Sequence, residues 1–102
     1  MEIREAQQRA HANAVKRGWD KTPVDTYFCL TYGELAEAFQ ARKENNIAEL
    51  GDELADVLIY TVGIAAKFDI DIDAAVLKKI QRNENREYKK VNGYYVKTKD
   101  EA

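Results

Sequence analysis

Two short blocks constrain this chain more than any other feature: Glu34-Leu35-Ala36-Glu37 and Glu53-Leu54-Ala55-Asp56. Each places two acids three residues apart, on one face of a helix. Each lies inside an apolar run, over 27–39 and 50–64. Carboxylates pressed toward a core are costly unless something compensates them. A hard divalent cation compensates four at once. Magnesium takes oxygen ligands in octahedral geometry and keeps waters that a phosphate can replace. The blocks therefore point to a magnesium site in an α-helical bundle that handles a polyphosphate.

Hydrophobic periodicity predicts four helices, over about 2–17, 23–42, 47–68 and 72–88. The chain has 102 residues, enough for one domain. On the first helix Ile3, Ala6, Ala10 and Ala14 make a narrow face of small residues, and Gly18 ends it. The second starts with Thr22 as N-cap, Pro23 at the first helical position and Asp25 in the first turn. Its apolar line is Val24, Phe28, Leu35 and Phe39. Asn45-Asn46 breaks the chain, and Asn46 with Glu49 forms a capping-box pattern for the third helix. The core stripe of that helix is Leu50, Leu54, Val57, Thr61, Ile64 and Phe68. Glu53 sits at its edge beside Val57 and Tyr60, with Asp56 about 60° further round. Glu49 lies one turn before Glu53 and either supports the acids or caps its own helix. Asp71 caps the fourth helix. A C-terminal extension over 91–102 turns at Gly93. Its Tyr94-Tyr95-Val96 reads as an extended segment packing on the bundle or on a partner chain, and it is loose from Lys97 on.

Two acids at this spacing are common on solvated helix faces. What lifts these above that reading is their register. The second and third helices are joined by a short turn, so they are antiparallel neighbours. Glu34 and Glu37 lie roughly 8 and 5 residues before the end of one helix. Glu53 and Asp56 lie roughly 7 and 10 residues into the other. At about 1.5 Å of rise per residue these offsets agree to within about a turn. Neither block contains a histidine, which the ferritin-like di-iron pattern requires. Oxygen-only ligation points to magnesium, with manganese as a substitute.

The fourth helix carries Lys79, Asn83 and Arg86 at i, i+4 and i+7, within roughly 60° of one another. A cation, an amide and a guanidinium on one stripe make a phosphate grip. Basic residues near a helix C-terminus also meet its dipole without any ligand. Trp19, the single tryptophan, falls in a loop, where it either covers the core or stacks on a base. Tyr32 and Tyr60 read as core residues. Cys29, between Phe28 and Leu30, reads as a buried core residue; one thiol makes no internal disulfide. The net charge of −2 gives no electrostatic case for nucleic acid. No apolar stretch reaches the roughly 20 residues that span a bilayer. Residues 1–14 lack the apolar segment of a signal peptide. A cytoplasmic protein is expected.

Glu34-x-x-Glu37, a gap of fifteen residues and Glu53-x-x-Asp56, followed by Lys79-x-x-x-Asn83-x-x-Arg86, resembles the motif set of the MazG-like all-α nucleoside triphosphate pyrophosphohydrolases. The resemblance covers roughly residues 10–92 and is specific for the superfamily, not for a substrate. It implies an all-α, four-helix bundle completed by homodimerisation, sometimes to a tetramer. It implies magnesium held by Glu34, Glu37, Glu53 and Asp56, with the nucleotide contacted by Lys79, Asn83 and Arg86. It implies hydrolysis of a nucleoside triphosphate to monophosphate and pyrophosphate, in house-cleaning of nucleotide pools. Glu37 and Glu53 are the expected catalytic acids, Glu37 as the base, although any of the four has the chemistry for it. Residues 11–19 resemble the segment that helps form the base pocket in short members, which makes His11, Asn13 and Trp19 pocket candidates. The alternatives are a phosphoribosyl-ATP pyrophosphohydrolase, which resembles this pattern and uses the same chemistry, a dUTPase-like specificity, and a catalytically silent helical interaction module in which the acids form a solvated face or a calcium-stiffened seam.

Overall fold

The computed structural model describes residues 2–99. They form two compact units that divide between Ile72 and Asp73. The first contains α1 (Ile3–Arg17), a 3-10 turn (Trp19–Lys21), α2 (Val24–Lys43) and α3 (Ile47–Lys67). The second contains nearly all of α4 (Ile72–Asn85) and an antiparallel hairpin of β1 (Glu87–Val91) and β2 (Tyr94–Lys99). No helix among the described residues is long and apolar enough to cross a membrane.

In the first unit each helix end has a local cause. Gly18 takes φ 78° and closes α1, its N–H bonding back to the last turn, a conformation that costs a residue without Cβ little. α2 begins one residue later than expected. Pro23 is itself the cap, with extended backbone (ψ 144°) and no side-chain cap bond, so Thr22 does not cap this helix. Between α2 and α3, Asn45 takes φ 55°. Asn46 accepts from the Glu49 N–H at 3.1 Å, while its own amide donates to the Glu49 carboxylate at 3.0 Å. Glu49 is thereby a capping residue. A turn this short folds α2 and α3 into an antiparallel pair. α1 packs on α3 through Ile3, Ala6, Ala10 and Ala14, all half-buried as the sequence predicts. The turn after α3 is tied back to α1 by Gln7, which donates to the Ile70 carbonyl, and by an exposed Arg4–Asp71 ion pair at 3.0 Å.

Apart from one tyrosine, the buried core is built from alanine and valine. Tyr27, Ala38 and Ala41 of α2 and Val62 and Ala65 of α3 are its buried members. The expected α2 line is corrected here: Phe28, Leu35 and Phe39 are exposed, Phe39 by 62%. These residues do share a stripe, but it lies roughly 100° from the buried face at 100° per residue. Periodicity locates an apolar stripe without saying which of two stripes meets the rest of the chain. The α3 stripe is half right. Leu50, Val57 and Ile64 are partly covered, whereas Leu54, Thr61 and Phe68 are exposed. Cys29 is exposed rather than buried, because it stands on neither stripe of α2. Tyr32 is also exposed, by 67%.

In the second unit, α4 ends at Asn85 instead of 88. The Arg86 N–H closes a tight turn on the Asn83 carbonyl, and strand β1 starts at once. Val91 pairs with Tyr94 across Asn92-Gly93, both with positive φ (50° and 82°), the geometry of a two-residue hairpin turn. The segment read as isolated and extended is thus one strand of a hairpin. β2 continues through Lys99, past the point expected to be loose; residues 100–102 lie outside the described residues.

Candidate active site

Glu34 lies on the buried face of α2, one turn before Ala38 and two before Ala41. Glu53 lies on α3, one turn before Val57 and two before Tyr60. Packing of the two helices brings Glu34, Glu37 and Glu53 together, with one carboxylate oxygen from each lying within 4.8 Å of the others. Glu34 and Glu53 are half-buried and Glu37 is exposed. Asp56, the fourth acid of the pattern, is outside this trio. It stands at the edge of a neighbouring cleft, together with Tyr60.

Two buried oxygens of the trio, Glu34 Oε2 and Glu53 Oε2, have no hydrogen-bond partner. Such atoms normally find one, since desolvating an oxygen without compensation is unfavourable. The strain shows in the titration of Glu53. Its carboxyl is pushed up to about 8 by the Glu34 carboxyl beside it, then by desolvation and by Glu37. The Tyr60 phenol is also raised, by burial first and then by the charges of Glu34 and Asp56. Converging acids, unpartnered oxygens and an all-oxygen donor set fit a hard divalent cation. Among the described residues these three acids are the one group with that geometry.

A cleft of about 1340 Å³ adjoins the acids, between α1, the 3-10 turn, α2 and α3. His11, Asn13 and Trp19, the sequence candidates for a base pocket, all line it. Its floor holds residues that sequence reasoning passed over, Tyr27 and Lys67 foremost. The Tyr27 ring meets Tyr60 edge-on at 5.9 Å. The ring also lies against Gly63 of α3, where an added Cβ would stand 3.4 Å from Tyr27 Cε1, at ordinary contact distance. The sequence signal for Tyr27 and Gly63 is a tyrosine at the start of an apolar run and a glycine within an apolar helix.

The second unit carries the third motif. Lys79 and Asn83 are exposed on α4, and Arg86 lies just past its end. The Arg86 guanidinium donates to Asn83 Oδ1 at 2.9 Å, so these two polar groups meet although the helix does not reach Arg86.

Residues 31–100 match the MazG-like family. Over 94 aligned residues the chain is 36% identical to dCTP pyrophosphatase 1 of Homo sapiens and 35% identical to those of Rattus norvegicus and Mus musculus. Each match takes in 78% of this chain and 55% of the relative, so the chain spans about half the length of the curated relatives it matches. Acid pairs on two packed helices, a converging carboxylate trio and a family match over most of the sequence lead to one conclusion: this chain belongs to the MazG-like family.

Proposed function

We propose that the chain hydrolyses a nucleoside triphosphate to the monophosphate and pyrophosphate in a magnesium-dependent reaction. One observation carries this reading. Two buried carboxylate oxygens without partners, Glu34 Oε2 on α2 and Glu53 Oε2 on α3, belong to a trio of converging acids, and Asp56 of the same motif lines a cleft together with His11, Asn13 and Trp19. The relatives' name supports deoxycytidine triphosphate or a close analogue as substrate, and removal of unwanted nucleotides as the role. A cytoplasmic setting suits that role.

Glu34, Glu37 and Glu53 would hold the cation, with Asp56 joining from the cleft edge; manganese suits the same oxygens. The bound ion supplies positive charge to the triphosphate and the leaving pyrophosphate. Glu37, the exposed member of the trio, orients a water and takes its proton as the oxygen attacks the α-phosphorus. The bond between the α-phosphorus and the bridging oxygen breaks, and pyrophosphate leaves. Lys79, Asn83 and Arg86 of the second unit carry the chemistry of a phosphate grip: two cations suited to phosphate charge and an amide suited to a phosphate or ribose oxygen. His11, Asn13 and Trp19 receive the base.

The exposed stripe Phe28, Tyr32, Leu35 and Phe39 supports assembly as a homodimer or homotetramer. α2 is apolar on two sides, and a helix of that kind is buried on two sides. Each large apolar side chain covered is worth about 1.5–3 kcal/mol, so an uncovered stripe of four is a substantial drive to associate.

The test is a panel of ribo- and deoxyribonucleoside triphosphates incubated with and without magnesium, reading pyrophosphate and monophosphate. Magnesium-dependent pyrophosphate release with one preferred base is expected. Orthophosphate release would put the cut at the wrong bond and overturn the mechanism.

A further inference from the structure

The 3-10 turn Trp19–Lys21 forms one wall of the cleft. A three-residue turn of this kind has poor hydrogen-bond geometry and little stability of its own. Its position here is set from outside, by two helices acting on consecutive carbonyls. Tyr27 of α2 donates its hydroxyl to the Trp19 carbonyl at 3.1 Å. Lys67 of α3 donates to the Asp20 carbonyl at 2.9 Å, and its ammonium lies 4.8 Å from the centre of the Tyr27 ring. A third group acts on the indole itself. The Arg17 guanidinium lies 5.5 Å from the Trp19 ring centre, and its Nε donates to Asn13 Oδ1 at 3.2 Å. Trp19 and Asn13 line the cleft, whereas Arg17 does not. Arg17 thus approaches the indole without itself lining the cleft.

We infer that Tyr27, Lys67 and Arg17 are positioning residues that hold the Trp19 indole as a stacking surface for the nucleotide base. This rests on the nucleotide reading proposed above and adds how that site discriminates. An aromatic face gains affinity for a base only when it is already in place, because ordering a loop on binding consumes part of the interaction. Lys67 is a cation on the cleft floor, but a carbonyl and a ring engage it. It acts on the substrate through Trp19 and not as a phosphate contact. Asn13, with its oxygen accepting from Arg17, presents its amide N–H groups as the polar donors beside the indole.

Trp19 is the only tryptophan, so its fluorescence reports the turn directly. The variants are Tyr27→Phe, which removes one hydroxyl, Lys67→Met, which keeps the stem and removes the donors, and Lys67→Arg, which restores a donor. Acrylamide quenching of Trp19 is measured without nucleotide. KM and kcat are measured for the four deoxyribonucleoside triphosphates, and binding for their non-hydrolysable α,β-imido analogues. Tyr27→Phe and Lys67→Met are expected to raise quenching. They should weaken KM and analogue binding by about tenfold, with kcat within about threefold, as expected for lost binding that is common to ground and transition states. Discrimination between bases narrows, and Lys67→Arg recovers most of the loss. Unchanged quenching and KM in both variants would overturn the assignment, as would a loss confined to kcat. Should Tyr27→Phe lower the melting temperature, Lys67→Met, near the end of α3, decides by the same readouts. If the wild type cleaves none of the nucleotides, the proposed activity fails, and quenching in the variants still decides whether the clamp exists.

Discussion

Glu49 and Glu53 lie one turn apart on the same helix, and their surroundings differ in every respect that matters. Glu49 is exposed and satisfied, with its N–H and its carboxylate both bonded to Asn46. Glu53 is half-buried, beside Glu34, with one oxygen unpartnered. The same residue type serves the fold in one turn and works against it in the next. The acid left unsatisfied is the one proposed to hold the cation.

The comparison breaks most easily at the chemistry. Glu53→Gln is expected to lower magnesium-dependent turnover by at least about a hundredfold, on the scale of losing one preorganised charged group. Glu49→Gln should stay within about twofold, measured as kcat on the preferred nucleotide, since capping acts on stability. Equal losses in the two variants would remove the distinction.

A pH titration sharpens it. The Glu53 carboxyl titrates near 8 in the folded chain, well above its ordinary value of 4.5. The folded state then holds a proton that the unfolded state has released. Metal-free stability is therefore expected to fall as pH rises from about 4.5 to about 8. Glu53→Gln flattens that slope and Glu49→Gln does not, as read from melting temperatures across the range. Magnesium should oppose the decline, with proton release on binding detectable by calorimetry in two buffers below pH 8.

Smaller effects belong to the structural turn. Asn46→Ala is expected to cost about 1 kcal/mol through loss of the cap, read by denaturant unfolding, with turnover retained. The exposed Arg4–Asp71 pair supplies the lower bound. Arg4→Ala should change stability by no more than about 0.5 kcal/mol, with the change reduced further in salt.

Much of this was legible in the sequence because it is local. The four helices, the Gly18 stop and the Asn46–Glu49 cap follow from short-range rules, and the acid register follows from counting residues along two helices joined by a tight turn. What stayed hidden is relational. α2 carries two apolar stripes, and the choice between them depends on what packs where, so Phe28, Leu35 and Phe39 were assigned to the core that Tyr27, Ala38 and Ala41 occupy. Cys29 was misplaced with them. The clamp on Trp19 joins residues up to 47 positions apart through backbone carbonyls, which leave no trace in side-chain patterns. The hairpin is a different case. Asn92-Gly93 between two segments that contain tyrosine and valine, 88–91 and 94–96, is a direct turn signal, and a helical period carried through to 88 obscures it.

Alanine at positions 38 and 41, each 2% exposed, makes the seam between α2 and α3 only a methyl group deep on one side. The separation of two packed helices, about 8–10 Å, depends on the side chains at their contact. These alanines therefore act as a gauge for the cation site, because the helix spacing they permit is also the span between Glu34 and Glu53. A larger residue at either position would leave every acid in the sequence and still pull the trio apart. In the proposed cation site, the room between the acids is thus set partly by residues that carry no charge.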